Sequence, residues 1–233
     1  MSPRAIVSKA QEEGLDIIAI TDHNMAENGV RAGGFNGESA PLVLFGMELQ
    51  TVEELHLLVI LGDEETAMEL QELVYHHLPD MKNDPDYFGD QVVLDERDEI
   101  VRFEERLLLN STTIPLEEAV AWVKAKGGLA IPSHIDSPTF SIISQLGYVP
   151  EDVPFDALEV KRKERIKDIL GFILPKDIPL VSFSDAHYLK DIGRRRIHLT
   201  MEEPSFAGVA EALKGFGNTA RMYEAGIVDG SEC

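Results

Sequence analysis

Again and again along this chain a short apolar run stops at a side chain able to bind a metal, and that recurrence restricts the fold more than any other feature. The plainest instance is Ile17-Ile18-Ala19-Ile20, which has no polar alternation and delivers Thr21-Asp22-His23-Asn24. Such a run reads as a strand buried on both faces, as in a parallel α/β sheet, with the next residues presented at its carboxyl end. Folds of that class place their chemistry at that end. Alone, the segment reads equally well as a strand entering an Asx turn with His23 incidental.

The pattern returns. A second apolar stretch over residues 42–49 carries Glu48 near its end, and a third over 55–61 has His56 near its start. If residues 50–54 reverse the chain in a hairpin centred on Val52, Glu48 falls opposite His56 with Cβ atoms about 5 Å apart. An acid and an imidazole so placed can share an ion. Leu129-Ala130-Ile131 then leads into Pro132-Ser133-His134-Ile135-Asp136, residues 155–160 read as a further strand, and Pro179-Leu180-Val181-Ser182-Phe183 releases Ser184-Asp185-Ala186-His187. Neutral imidazole and carboxylate suit zinc, manganese and iron, and a barrel gathers strand ends into one pocket. His23, Glu48, His56, His134, Asp185 and His187 are therefore the candidate ligands.

Helices are expected between these strands. Ser2-Pro3 has the form of an N-cap followed by proline at the first helical position, and Pro115 opens a helix that Gly127-Gly128 stops. In a parallel sheet such a first helix normally connects two strands, so a strand before it is conspicuous by its absence. Residues 63–78 form an acidic helix; His76 and His77 close it, where the helix dipole accounts for them. Segments 91–94 and 100–103 read as a small exposed hairpin. Residues 63–113 thus look like an insertion able to cover a site, within one domain spanning 1–233. Residues 161–170 read as a helix with a basic start, Lys161, Arg162 and Lys163, for which a solvated helix face is the simpler account than anion binding. A closing helix is expected over 206–214.

Composition restricts the partners. With 42 acidic against 21 basic residues and a net charge of −21, a broad basic surface for a nucleic-acid backbone is not expected. No apolar run approaches the roughly 20 residues of a membrane span. One cysteine, Cys233, fits a reducing compartment, so a soluble cytoplasmic protein is the expectation. Composition leaves the oligomeric state open.

Taken together, Ile20-Thr21-Asp22-His23-Asn24, Gly46-Met47-Glu48 followed by His56, Ile131-Pro132-Ser133-His134, Phe155-Asp156-Ala157-Leu158-Glu159-Val160 and Ser184-Asp185-Ala186-His187 resemble the PHP (polymerase and histidinol phosphatase) domain family, in the family's order. The resemblance implies a distorted (β/α)7 barrel with up to three divalent metals, zinc, manganese or iron, at its mouth. It also implies hydrolysis of phosphate esters by a metal-activated hydroxide, the substrate being a small phosphorylated metabolite, nucleotide or short oligonucleotide. Family members begin with a strand ending DLHxH, and this sequence starts after that point. Carried over by motif, Glu48, His56 and His134 surround one metal; a second keeps Glu48 and Asp185, and a third keeps His23 and His187. The expectation is a barrel lacking its first strand that holds one ion well and turns over poorly. Asp22 reads equally as a residue that orients a ligand and as a turn residue, and Arg194, close behind Gly193, is a candidate to hold a substrate phosphate, for which an ordinary surface arginine is the simpler account. Two alternatives stand beside this reading, a metal-dependent hydrolase of amidohydrolase type and a non-catalytic metal-binding or interaction domain.

Overall fold

The computed structural model describes residues 1–35, 40–162 and 178–215. Ser2 caps α1 (Pro3–Glu12) by accepting the Ala5 N–H at 3.2 Å, and Val7 and Ala10 turn inward. β1 (Ile17–Ala19) comes next, then α2 (Glu27–Ala32) and β2 (Leu42–Gln50), which pairs in parallel with β1. All three β1 side chains remain partly exposed, contrary to the expected strand buried on both faces. The reason is position: among the described residues β1 is a sheet edge, and its side chains border a cavity.

β3 (His56–Leu61) returns antiparallel to β2, a departure from an all-parallel sheet that the intervening tight turn imposes. The turn also corrects the register. Gln50 pairs with His56 and Glu48 with Leu58, so the hairpin is centred on Glu53 and not on Val52. Thr51 N–H bonds Leu55 O and Glu54 N–H bonds Thr51 O, with Glu54 at φ +60°, so the reversal runs over residues 51–55, the same length as expected but one position later. Because side chains alternate with period two, a shift of two positions leaves Glu48 and His56 on one face, now as diagonal neighbours. Gly46 permits the close approach of the two strands: a Cβ there would lie 1.9 Å from Val59 O.

Asp63 caps α3 (Glu64–His77) through the Thr66 N–H at 2.8 Å, and Ala67, Leu70 and Val74 join the main core. α4 (Pro85–Phe88) and the hairpin β4 (Val92–Leu94) and β5 (Ile100–Phe103) complete this excursion. α5 (Leu116–Ala125) then leads to β6 (Leu129–Pro132), antiparallel to β3. α6 (Ile142–Leu146) precedes β7 (Leu158–Glu159), which pairs in parallel with β8 (Leu180–Val181), and α7 (Phe206–Gly215) comes last. The expected helix over 161–170 lies, beyond Arg162, outside the described residues, as do Lys163 and Cys233.

The result is a mixed α/β fold. β6 joins the segment around β7 through Asp156 N–H to Ala130 O at 3.0 Å and Ile135 N–H to Glu159 O at 2.8 Å. Strands therefore succeed one another in the order β1-β2-β3-β6-β7-β8, but no ladder returns β8 to β1 among the described residues, so a closed barrel is not formed by them. Met47, Leu49, Leu57 and Val59 are almost wholly buried beneath this wall. Each such side chain contributes on the order of 1.5–3 kcal/mol of transfer free energy, which holds the strand ends that frame the site. No described helix is long and apolar enough to cross a membrane.

Candidate metal centre

The strand ends converge as the alternation of apolar runs and polar stops implies. Beyond β1 the parallel pairing with β2 persists: Glu48 N–H bonds Asp22 O and Asn24 N–H bonds Glu48 O, both at 3.1 Å, and this sets His23 beside Glu48. Asn24 is fully buried. Its amide donates to Leu108 O at 2.8 Å and Asn110 O at 2.9 Å and accepts from Gln50 N–H at 3.0 Å, tying the 63–113 segment to the site's strands. After β6, Ser133 N–H bonds His56 O at 3.0 Å, and His134 N–H donates to Glu159 Oε2 at 2.9 Å. Asn24, His134 and Asp185 have φ of +49°, +34° and +44°, conformations costing on the order of 1–3 kcal/mol each, so the surrounding bonds must hold them.

Glu48 lies at the centre. Its Oε2 is 3.3 Å from His23 Nδ1 and 3.3 Å from His56 Nδ1, and its Oε1 is 3.6 Å from His134 Nε2. His56 Nδ1 and His134 Nε2 are 3.2 Å apart. Ligands about 2.0–2.1 Å from a tetrahedral ion stand roughly 3.3–3.4 Å from one another, so the two separations from Glu48 Oε2 and the His56–His134 separation are of the length of a tetrahedral edge, while His134 faces the other carboxylate oxygen. His23 Nδ1, though close to Glu48, makes no hydrogen bond, which leaves a buried nitrogen unsatisfied. His23, Glu48 and His56 each offer an atom within 4.8 Å of the others, and the residues present fit a divalent cation. Phe140 stacks on the His56 ring at 5.0 Å and holds its plane.

Charge reinforces the geometry. Burial would raise the Glu48 carboxyl, but the hydrogen bond from His56 and the electrostatic attraction between the carboxylate and the His56, His23 and His134 rings outweigh it and hold the group at about 2, ionised. Burial lowers His23 and His134, with Glu48 opposing, so both favour the neutral form that offers a lone pair. Burial raises Asp22, which accepts from Asn28 Nδ2 at 2.8 Å. Burial likewise lifts Glu159 to about 7.

A cavity of about 810 Å³ opens beside the cluster. Its apolar side is lined by Ile17, Leu44, Leu58 and Ile131, its polar end by Asp22, His23, Glu48, Glu159, Asp185 and His187. The remaining candidates are less closely gathered. Asp185 binds Lys161 Nζ; His187 is largely exposed, with Nδ1 3.8 Å from Asp185 Oδ1 and its ring 6.2 Å from that of His23. Arg194 does not border the cavity: it is exposed and pairs with Asp191 at 2.7 Å, whereas Arg195 and Arg196 do line it. Arg195 grips the Phe183 and Ser184 carbonyls at 2.7 and 2.9 Å. His76 bonds Glu72 O at 2.7 Å and His77 bonds Thr113 Oγ1 at 2.8 Å, both at the surface. Sequence reasoning gives no role to Glu159, although a lone carboxylate between Leu158 and Val160 in an apolar strand is the available signal. Lys161 is legible there as part of a basic helix start, with anion binding as the less simple account.

Among solved structures, the chain is similar to the lesion-specific endonuclease Q of Pyrococcus furiosus (TM-score 0.61, 17% identity, 91% of this chain and 50% of that one). It also resembles an endonuclease Q in complex with a 27-mer duplex bearing an abasic lesion (TM-score 0.54, 17% identity, 91% and 51%). A candidate metal-dependent phosphoesterase from Bifidobacterium adolescentis matches as well (TM-score 0.51, 18% identity, 91% and 90%). The fold is PHP-like. The chain spans about half the length of the two endonuclease Q chains. No family model matches the sequence, and no curated protein matches it. One expectation is overturned: a net charge of −21 argues against a nucleic-acid surface, yet this PHP-like frame occurs in an endonuclease bound to duplex DNA. Net charge describes the whole surface, and a local groove or an ion can receive phosphate regardless.

Proposed function

We propose that this chain is a metal-dependent phosphoesterase holding one divalent cation, zinc, manganese or iron, between His23, Glu48, His56 and His134. The observation that carries the reading is the set of nitrogen-to-oxygen and nitrogen-to-nitrogen separations of 3.2–3.6 Å around one ionised carboxylate. When bound, such a cation supplies a Lewis acid that acidifies a water and offsets charge on a phosphoryl oxygen. The chain's own groups prepare for this. Glu48 stays ionised, His23 and His134 stay neutral, and Glu159 fixes the His134 backbone in its left-handed conformation. The ester enters from the cavity, whose apolar flank limits water around the reacting group.

The three solved structures of like fold favour phosphate esters over amides, which the same arrangement of groups also suits, and they bring phosphodiesters of DNA among the substrates to be tried. The test is a panel of bis(p-nitrophenyl) phosphate, p-nitrophenyl phosphate, duplex DNA with an abasic site and simple amides, assayed with manganese or zinc. Hydrolysis of a phosphate ester that chelation abolishes is the expected result. Cleavage of amides alone, or no turnover of any phosphate ester by protein shown to contain the ion, overturns it.

A further inference from the structure

We infer that Lys161 takes the place of a second divalent cation at this site, so that a phosphoryl group would be bracketed by one metal ion and one ammonium. The meaning of that second charge rests on the phosphoesterase reading above. The placement itself rests on side chains. Lys161 leaves the carboxyl end of β7 and its ammonium binds Asp185 Oδ2. Its backbone is pinned by a carboxylate from the loop that carries His134: Asp136 accepts the Lys161 N–H at 2.8 Å and the Arg162 N–H at 3.0 Å. A lysine at the solvated start of a helix would have no such constraint on where its ammonium goes.

A second observation is independent of that ion pair. Glu159 is 3% exposed and borders the same cavity as Asp185, and its Oε1 has no hydrogen-bond partner. Two carboxyl groups therefore border the cavity, and Lys161, which does not itself line it, meets its edge through Asp185. Burial lifts Glu159 towards its neutral form, and a carboxylate at the edge of a half-buried pocket still needs a compensating cation. Among the described residues, the groups that lie within metal-sharing distance are His23, Glu48 and His56; His134 adjoins them through its 3.2 Å approach to His56, whereas the partners of Asp185 are Lys161 and His187. Lys161 supplies the missing charge, and its potential also reaches His134 and opposes protonation of that imidazole. Ammonium serves here as a compact point charge, the form in which lysine binds phosphoryl oxygens.

The consequence separates Asp185 from the four clustered residues. Asp185 holds Lys161 and does not hold the ion. Calorimetric titration of the full chain with manganese, checked by metal analysis, tests this without reference to turnover. The wild type and Asp185→Asn are expected to bind one equivalent with affinities within a few-fold of each other. Lys161→Met frees Asp185 beside Glu159 and is expected to bind a second, weaker equivalent, whereas Lys161→Arg stays at one. A wild type that binds no ion or more than one, loss of the equivalent in Asp185→Asn, or an unchanged count in Lys161→Met overturns the inference. Asp185→Asn keeps the inference falsifiable should Lys161→Met fail to fold. Absence of phosphate-ester hydrolysis alongside the expected counts would overturn the proposed activity and leave the lysine's place intact.

Discussion

The two ends of the polar wall hold the same kinds of residue and treat them differently. At one end Glu48 is surrounded by three imidazoles, two of them driven neutral, and among the described residues no lysine or arginine pairs with it. At the other, Asp185 already has the Lys161 ammonium as its partner. A carboxylate among neutral nitrogen lone pairs is an arrangement that a divalent cation completes, whereas a carboxylate paired with lysine is complete without one. The difference teaches that a histidine or acid at a strand end does not define a ligand. What decides is whether its neighbours leave positive charge wanting.

Breaking the first end should have the largest effect. His134→Ala or His56→Ala removes a nitrogen from the cluster and is expected to lower manganese affinity by at least about 100-fold, since even outer-sphere partners of ligands change affinity by about 10–100-fold; calorimetry reads it directly. An equal loss in His76→Ala would erase the contrast between clustered and surface imidazoles. Glu48→Gln keeps the shape and removes the central charge, and a drop of about 10- to 100-fold in the same titration is expected. Retention of wild-type affinity would show that the imidazoles alone suffice.

The 63–113 segment offers a control away from both ends. Glu104 is buried and accepts from Arg102 at 2.6 Å and from Arg106 at 2.9 Å, while Arg102 also binds Glu27 of α2. Because both arginines retain some exposure, Glu104→Ala should cost about 2–3 kcal/mol in urea unfolding, below the full penalty for an orphaned buried charge. Metal count should stay at one, and a count of zero would mean that the segment shapes the centre. The smallest effect concerns pH. Burial lowers His23 and His134 below the ordinary imidazole value of about 6.5, so protons displace the cation only in more acid solution. Metal occupancy should be flat from about pH 8 to about 6.5 and fall below that; a midpoint above 6.5 would mean that these imidazoles are not held neutral.

Much of this arrangement is legible in the sequence because it rests on local pattern. Apolar runs ending in His23, Glu48 and His134 mark the strand ends, and the parity of residues 48 and 56 survives a register error. The register itself depends on Glu54 entering the left-handed region, which no propensity signals at a glutamate. The exposure of β1 depends on what lies beside it in the folded chain, and its own residues do not reveal that. Arg194 looks better placed for an anion than Lys161, because nearness to Gly193 is visible in sequence and a bond between Lys161 and Asp185 is not. Asn24 illustrates the same limit: it reads as a turn residue, yet it binds backbone at residues 50, 108 and 110.

The most direct test of the central claim is an anomalous difference map from crystals of this chain grown with manganese. One peak is expected, within coordination distance of His23, Glu48, His56 and His134, with Asp185 still on Lys161. A peak bound to Asp185 and His187, or an empty Glu48 cluster at saturating manganese, would contradict it.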